Sequence, residues 1–299
     1  MACSRLLRCP RCGPDGRPGK WSPGGGFVVN DRAAEIKSWF RRVAGLSARL
    51  LFPPACPGCR RLVAEPFALC GECWPRLRFI ERPWCEVLGT PFSHELGDGI
   101  VSADAIANPP PFARARAAVS HTGVARQMVL SLKFGDRTEL APTMARWMMR
   151  AGAELVADAE AVVPVPLHRG RFFRRRFNQS AELARALCRL SGRRFLPDAV
   201  VRIRATRQQV GLGAREREEN VRGAFAVPPR ARIGVAGRRV LVVDDVYTTG
   251  MTAAAVARAL RRAGAAEVDV LTFARVLPKD FGPHDVRSGD FLRDEGETI

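Results

Sequence analysis

The sequence of 299 residues lacks any apolar run that approaches the roughly 20 residues a membrane-spanning helix needs. It also lacks the apolar core of a secretory signal, because Arg5, Arg8 and Arg11 interrupt the first segment. These two absences argue against the membrane and secreted classes. We therefore expect a cytoplasmic protein.

Lysine is scarce, since 48 residues are lysine or arginine and the lysines are Lys20, Lys37, Lys133 and Lys279. Genomic base composition explains such an arginine bias as readily as selection does. The formal net charge of +18 nevertheless favours polyanions as partners, either nucleic acid or phosphorylated metabolites. A hydrophobic content of 46% is typical of a globular protein.

Nine cysteines in a reducing compartment point to metal ligands wherever their spacing fits. Two Cys-x-x-Cys pairs, formed by Cys56, Cys59, Cys70 and Cys73, predict one tetrahedral Zn²⁺ site. No ligand position is left open, so the predicted role is structural. Cys85 has no partner at Leu88, and Cys9 with Cys12 forms an isolated pair that could supply half a site.

Composition divides the chain into six segments. They are a disordered extension (1–30), an amphipathic helix (31–51), a zinc-ribbon-like module (52–92), a Pro-rich linker (93–112), an α/β domain (113–277) and an acidic tail (278–299). In the α/β domain, helical stretches at 140–155, 180–190 and 252–263 alternate with apolar runs at 161–163, 240–243 and 268–274. Such alternation predicts a parallel sheet flanked by helices.

The segment from Val240 to Thr252 carries the strongest functional signal. Its apolar strand ends in Asp244 and Asp245, and a Thr-Thr-Gly-x-Thr turn then opens a helix. Ligands of α/β sheets bind at this edge, and the start of a helix favours a phosphate. The alternative is an ordinary helix start, capped by Thr248 or Thr249 after a solvated acidic turn.

This segment resembles the 5-phosphoribosyl-1-pyrophosphate (PRPP) motif of type I phosphoribosyltransferases. Three further segments, Val163–His168, Arg174–Ser180 and Arg204–Phe225, are similar to the ComF family. That family joins a cysteine-rich zinc module to a phosphoribosyltransferase domain and is associated with DNA uptake in natural competence. The chain departs from the family pattern at Arg176, where glycine is common, and at Leu88, which puts a double zinc ribbon in doubt.

The resemblance implies a type I phosphoribosyltransferase-like α/β fold preceded by a small four-cysteine zinc-binding module. It implies that Asp244 and Asp245 bind the ribose and that Mg²⁺ accompanies PRPP. The implied 5′-phosphate site is formed by Thr248, Thr249, Gly250, Met251 and Thr252. The implied pyrophosphate loop is Pro164, Val165 and Pro166, and the implied lid is Arg204, Arg217 and Arg222.

Several roles remain open at this point. The lid arginines fit an exposed, charged helix face as well as a lid. A second arginine group, interleaved with phenylalanines, fits single-stranded nucleic acid or a solvated surface, and it comprises Arg169, Arg171, Arg174, Arg175 and Arg176. His168 fits a structural role better than a general base, and the sequence shows no convergent partner for His121.

Two classes of function follow. The first is transfer of phosphoribose from PRPP to a nitrogen nucleophile. The second is a non-catalytic protein that handles imported single-stranded DNA alongside competence DNA-uptake proteins, or a PRPP-sensing regulator. Fold alone does not separate these classes.

Overall fold

Five parallel strands form the central sheet of the computed structural model, which describes residues 53–94, 97, 99–134, 137–167, 177–204 and 223–277. The strands in these residues are β1 (Ala115–Ser120), β2 (Ala161–Pro164), β3 (Arg194–Phe195), β4 (Val201–Arg202), β5 (Phe225–Ala226), β6 (Arg239–Tyr247) and β7 (Glu267–Arg275). The sheet order is β1-β7-β6-β2-β3, while β4 and β5 pair separately as an antiparallel ribbon.

Six α-helices accompany the strands in the described residues. They are α1 (Ala103–Ala107), α2 (Gly123–Phe134), α3 (Ala141–Ala151), α4 (Ala153–Asp158), α5 (Gln179–Ser191) and α6 (Met251–Arg262). Short 3₁₀ helices span Trp74–Arg76, Thr138–Leu140 and Pro229–Gly234. None of the helices in the described part of the chain is long and apolar enough to cross a membrane.

Two apolar cores lie on the two faces of the sheet. Helices α2, α3 and α5 pack on one face against side chains such as Leu241 and Phe273. Helix α6 packs on the other face against Val240 and Val270. Burial on both faces explains why β6 and β7 are almost continuously apolar instead of alternating.

The cysteine-rich segment packs against β1, which lies at an edge of the sheet. Phe79 forms an antiparallel bridge with Val119, and Ile80 N–H donates to the carbonyl of Ala118 at 3.0 Å. The aromatic rings of Trp74, Phe79 and Trp147 meet at centroid distances of 5.6 to 6.1 Å. The segment therefore caps the open edge of the sheet.

The parallel sheet flanked by helices confirms the predicted fold class. The structure has the predicted strands in β2, β6 and β7 and the predicted helices in α3 with α4, α5 and α6. Strand β1 and helix α2 were not predicted from the sequence. Residues 93–112, for which we expected a linker, contain α1, and segment 31–51 with Cys9 and Cys12 lies outside the described residues.

Candidate functional site

The functional edge of the sheet lies where β2 ends beside β6. Pro164 pairs with Val243, so the residues that follow β2 emerge beside Asp244 and Asp245 of β6, which continues to Tyr247. Val165 N–H donates to the carbonyl of Val243 at 2.9 Å. This register brings the predicted pyrophosphate segment beside the carboxylate pair.

Asp244 and Asp245 lie in the second half of β6, three and two residues before its end at Tyr247. The Ser180 hydroxyl, at the start of α5, donates to Asp244 Oδ1 at 2.8 Å, and the Asp245 amide donates to the same oxygen at 2.9 Å. Burial, together with the neighbouring Asp245 charge, raises the pKa of Asp244 to about 7. Near neutral pH this carboxyl therefore exists in both protonation states.

Asp245 is balanced by a cation from the helix that follows β1. Its side chain is buried, and Lys133 Nζ lies 3.1 Å from Asp245 Oδ2. His121 is a third group at this edge. Burial lowers the pKa of His121, the positive charges of Lys133 and Arg126 add to that effect, and Asp245 opposes it. A neutral imidazole thus lies within electrostatic range of the carboxylates.

The turn after β6 presents an open helix start. Thr248 and Thr249 are exposed, Gly250 adopts a left-handed φ of 74°, and α6 begins at Met251. The residue in the capping position is Gly250, and no side chain caps the helix. The alternative in which Thr248 or Thr249 caps the helix is therefore wrong. Because Gly250 has no side chain, no capping side chain accepts hydrogen bonds from the first backbone N–H groups of α6. Such groups at a helix start bind phosphate well.

Glycine is required at position 250 for a second reason. A Cβ there would overlap the hydroxyl of Tyr247, in addition to the strain of a positive φ. The turn is therefore closely fitted against that ring.

The predicted pyrophosphate segment offers no free backbone donor of its own. Pro164 and Pro166 lack an N–H group, and the N–H of Val165 is used by Val243. The carbonyl of Val165 accepts from Asn178 Nδ2 at 3.0 Å. These three residues consequently fix the turn without supplying N–H groups to an anion.

Of the arginines predicted to contact a ligand, Arg204 alone lies in the described residues. Arg204 is exposed just after β4. The other predicted lid residues, Arg217 and Arg222, lie outside the described residues. So do His168 and the second arginine group, namely Arg169, Arg171, Arg174, Arg175 and Arg176.

A separate arginine-lined cavity lies where the strands begin, at the end of the sheet opposite to the aspartates. It has a volume of about 680 Å³ and is bordered by the starts of β6 and β7 and by the last half of α6. Its arginines are Arg239, Arg258, Arg261 and Arg262. Arg239 precedes Asp244 by five residues, so the cavity is about 17 Å from the carboxylates along the strand.

The four predicted zinc ligands converge. The sulfurs of Cys56, Cys59, Cys70 and Cys73 all lie within 4.8 Å of one another, and Cys59 Sγ is 3.5 Å from Cys70 Sγ. Four sulfurs at 2.3 Å from a tetrahedral Zn²⁺ would be about 3.8 Å apart, so the cluster fits that ion. A Cβ on Gly58 would lie 2.9 Å from Cys73 Sγ, which explains the glycine in the first pair.

The electrostatics of the cluster favour a bound cation. Burial alone would raise the pKa of Cys56, but hydrogen bonds from backbone groups of Cys70, Cys59 and Gly58 outweigh it and lower the pKa to about 6. Burial and hydrogen bonds from the other thiols raise the pKa of Cys73. Without a metal the four thiols cannot all ionise together, and a Zn²⁺ ion would remove that conflict.

Three residues at the carboxylate edge were not predicted from the sequence. Ser180 and Lys133 contact the aspartates directly, and His121 lies within electrostatic range of Asp245. Each comes from a different helix or strand end, so no local spacing reveals them. The one available signal was that Lys133 is among the four lysines of an arginine-rich chain.

Two family models match the chain. One is a double zinc ribbon domain over residues 47–105, and the other is a phosphoribosyl transferase domain over residues 181–288. The first model covers the four-cysteine cluster, and the second covers the aspartates and the turn. The chain therefore contains a zinc ribbon and a phosphoribosyltransferase domain, and the four-cysteine cluster is a structural zinc site.

Curated relatives also match the chain. The DNA utilization protein YhgH of Escherichia coli O6:H1 is 32% identical over 237 residues, which are 76% of this chain and 100% of that protein. Competence protein F of Haemophilus influenzae is 34% identical over 157 residues, 50% of this chain and 66% of that one. The solved structure of the allosteric regulatory enzyme of purine biosynthesis aligns with 48% of this chain and 30% of its own, at 21% identity and a TM-score of 0.34.

Proposed function

This chain belongs to the ComF family, and from that membership and the geometry of its site we propose that it binds PRPP and transfers the phosphoribosyl group to a nitrogen nucleophile. One observation carries the proposal. A carboxylate pair at the end of a buried parallel strand is followed by a helix start without a side-chain cap. That combination suits a phosphate and two adjacent sugar hydroxyls a few ångströms apart.

In this proposal the turn from Thr248 to Thr252 binds the 5′-phosphate, and Asp244 and Asp245 accept hydrogen bonds from the ribose hydroxyls. Ser180 holds Asp244 in place, and Lys133 balances the charge of Asp245. The sugar is thereby fixed at both ends while its C1′ atom stays accessible. Such fixation lowers the entropic cost of the reaction.

The transfer breaks the bond from C1′ to a pyrophosphate oxygen and forms a bond from C1′ to the nitrogen of the acceptor. Pyrophosphate leaves with the bonding pair, and the nitrogen loses one proton. Mg²⁺ fits the donor set, because carboxylates and substrate phosphates are ligands that it takes. Asp244 and Asp245 are the side chains that would hold it, and it would neutralise charge on the leaving pyrophosphate. Arg204, with Arg217 and Arg222, is our proposed lid over that group.

Calorimetry with PRPP and Mg²⁺ tests the proposal. The wild type is expected to bind, while the double variant Asp244→Asn/Asp245→Asn is expected to lose binding. The exposed pair Asp198→Asn/Glu65→Gln serves as the matched control for loss of two carboxylates and is expected to bind normally. Equal binding by the wild type and the double variant would refute the site. Pyrophosphate release in the presence of nitrogenous bases then tests transfer itself.

A second candidate function is the binding of single-stranded DNA. The names of the relatives refer to DNA utilization and competence. The arginine-lined cavity supports it, because four guanidinium groups border one open space with a single carboxylate, that of Glu267, among its lining residues. Arginine clusters bind phosphate backbones, and the affinity falls steeply with salt. We propose the second arginine group, Arg169 to Arg176, as a further contact.

Fluorescence anisotropy with a labelled oligothymidine at 50 mM and 200 mM salt tests this candidate. The double variant Arg261→Ser/Arg262→Ser is expected to weaken binding and reduce the salt dependence. The matched control Arg146→Ser/Arg189→Ser removes the same charge from exposed positions elsewhere. Equal weakening by both variants would show a general charge effect and refute the cavity as a DNA site.

A further inference from the structure

The chain contains a second ribbon whose backbone repeats the first. In the first, Cys56 N–H donates to the carbonyl of Arg61 at 2.7 Å, and Arg60 N–H donates to the carbonyl of Cys56 at 2.9 Å. In the second, Cys85 N–H donates to the carbonyl of Thr90 at 2.8 Å, and Gly89 N–H donates to that of Cys85 at 2.7 Å. The two turns therefore match bond for bond, 29 positions apart.

Other details of the backbone follow the same correspondence. Arg60 and Gly89 both have a φ of 64°, and an antiparallel bridge flanks each turn, between Ala55 and Leu62 and between Trp84 and Pro91. The second pair of each ribbon also corresponds. Cys70 N–H donates to Cys56 Sγ at 3.4 Å, and Ser102 N–H donates to Cys85 Sγ at 3.3 Å.

The side chains at the ligand positions do not correspond. Where the first ribbon has four cysteines, the second has Cys85, Leu88, Ser102 and Ala105. Cys85, Leu88 and Ala105 are buried together in the core on the α6 face of the sheet. One thiol, one hydroxyl and two apolar groups do not make a zinc site. In the described residues, the four-sulfur cluster is the one group of three or more metal-ligating side chains.

Hydrogen bonds and apolar packing occupy the place of the ion. Cys85 Sγ accepts from the Ser102 hydroxyl, from Ser102 N–H and from Leu88 N–H, each at 3.3 Å. Zinc-bound sulfurs accept similar backbone bonds in the first ribbon. The second turn is thus held by the sulfur and its donors, with Leu88 and Ala105 filling the remaining space.

One buried arginine connects the second ribbon to the turn at residues 248–252, which we propose as the phosphate site. Arg275, at the end of β7, donates from Nη1 to the carbonyl of Leu88. Its guanidinium carbon lies 4.2 Å from the centre of the Tyr247 ring. The Tyr247 hydroxyl in turn fills the space where a side chain at Gly250 would lie. A continuous line of contacts therefore runs from Leu88 to the start of α6.

We propose that the second ribbon folds without a metal ion and acts as a support that holds Arg275 and Tyr247 against the turn at residues 248–252. This inference departs from the double zinc ribbon that the family model implies. The inference depends on the proposed function only in treating residues 248–252 as a phosphate site. Both of its tests are made without PRPP.

Zinc content, measured by mass spectrometry on purified protein, tests the first part. We expect one zinc per chain in the wild type and in Cys85→Ala, and two in the triple variant Leu88→Cys/Ser102→Cys/Ala105→Cys. Two zinc ions in the wild type would overturn the inference. A folded triple variant that still holds one would show that the second backbone is not a ribbon and would overturn it as well.

Hydrogen–deuterium exchange without ligand tests the second part. In Arg275→Met we expect the amides of residues 248–252 to exchange at least tenfold faster than in the wild type. Arg114→Met is the matched control, because Arg114 is also tied into the sheet but pairs with Asp158 and Asp269 near the opposite edge. Arg275→Lys, which keeps the charge, is expected to show a smaller increase and covers the case in which Arg275→Met does not fold. Equal exchange in the folded Arg275 and Arg114 variants would overturn the support role.

Discussion

Replacing Asp244 by asparagine is expected to stabilise the ligand-free protein at alkaline pH. Burial and the charge of Asp245 raise the pKa of Asp244 from 3.8 to about 7. A carboxyl whose pKa is higher in the folded state holds its proton more tightly there. Its ionisation therefore costs folding stability, and this cost grows as the pH rises from about 4 to about 7.

The size of the effect follows from the two pKa values. Linkage gives a cost of about 4 kcal/mol at pH 8 and about 2 kcal/mol at pH 5. Asparagine keeps an acceptor for the Ser180 hydroxyl and carries no charge. The variant is therefore expected to gain up to about 4 kcal/mol at pH 8, and clearly less at pH 5.

Urea unfolding at pH 5, 7 and 8, monitored by circular dichroism, provides the measurement. The exposed Asp198→Asn is the control and is expected to stay within about 0.5 kcal/mol of wild type at each pH. A variant at position 244 that is no more stable than wild type at pH 8, or whose gain does not shrink at pH 5, would refute the reasoning. A stabilised variant without PRPP binding would show a site kept at the expense of stability.

Three further outcomes are expected. Affinity for PRPP should weaken about tenfold per pH unit below pH 7, because protonation of Asp244 competes with the ligand; calorimetry from pH 5.5 to 8 measures this, and a flat profile contradicts it. Arg116→Met should cost about 3 to 5 kcal/mol in urea unfolding, since this buried arginine pairs with two glutamates; a loss below about 1 kcal/mol would contradict it. Gly152→Ala should cost about 1 to 3 kcal/mol and lower Tm, because the added Cβ would lie 2.7 Å from Leu271 Cδ1; an unchanged Tm would contradict the overlap.

The parts of the site that the sequence predicts are those whose functional residues lie close together along the chain. Four cysteines at fixed spacings, and two aspartates between an apolar strand and a glycine turn, each lie within a short segment. Their geometry follows from local backbone rules, and the structure brings the cysteines together as predicted. The ribose and phosphate roles of the aspartates and the turn remain predictions.

The parts missed from the sequence depend on distant elements. Strand β1 carries Arg116 near its start, and a charged residue there hides a strand that is buried throughout. Ser180 and Lys133 reach the aspartates from 64 and 112 positions away, respectively, and that proximity is set by the strand order. The second ribbon was missed because Leu88 stands where a zinc-ribbon motif has a cysteine. Its similarity to the first ribbon lies in the backbone hydrogen bonds, which the sequence does not show.

The pairing of the cysteine-rich segment with β1 also affects the tendency of the protein to aggregate. Phe79, Ile80 and Val87 cover peptide groups along the free side of β1, through a bridge to Val119 and hydrogen bonds to Ala118 and Ala115. A strand stripped of that cover offers an open template to other chains. Loss of the zinc ion is therefore expected to expose the part of β1 covered by Phe79 and Ile80, whereas Val87 belongs to the metal-free second ribbon and should stay in place. Size-exclusion chromatography after chelation would detect the self-association that this exposure predicts.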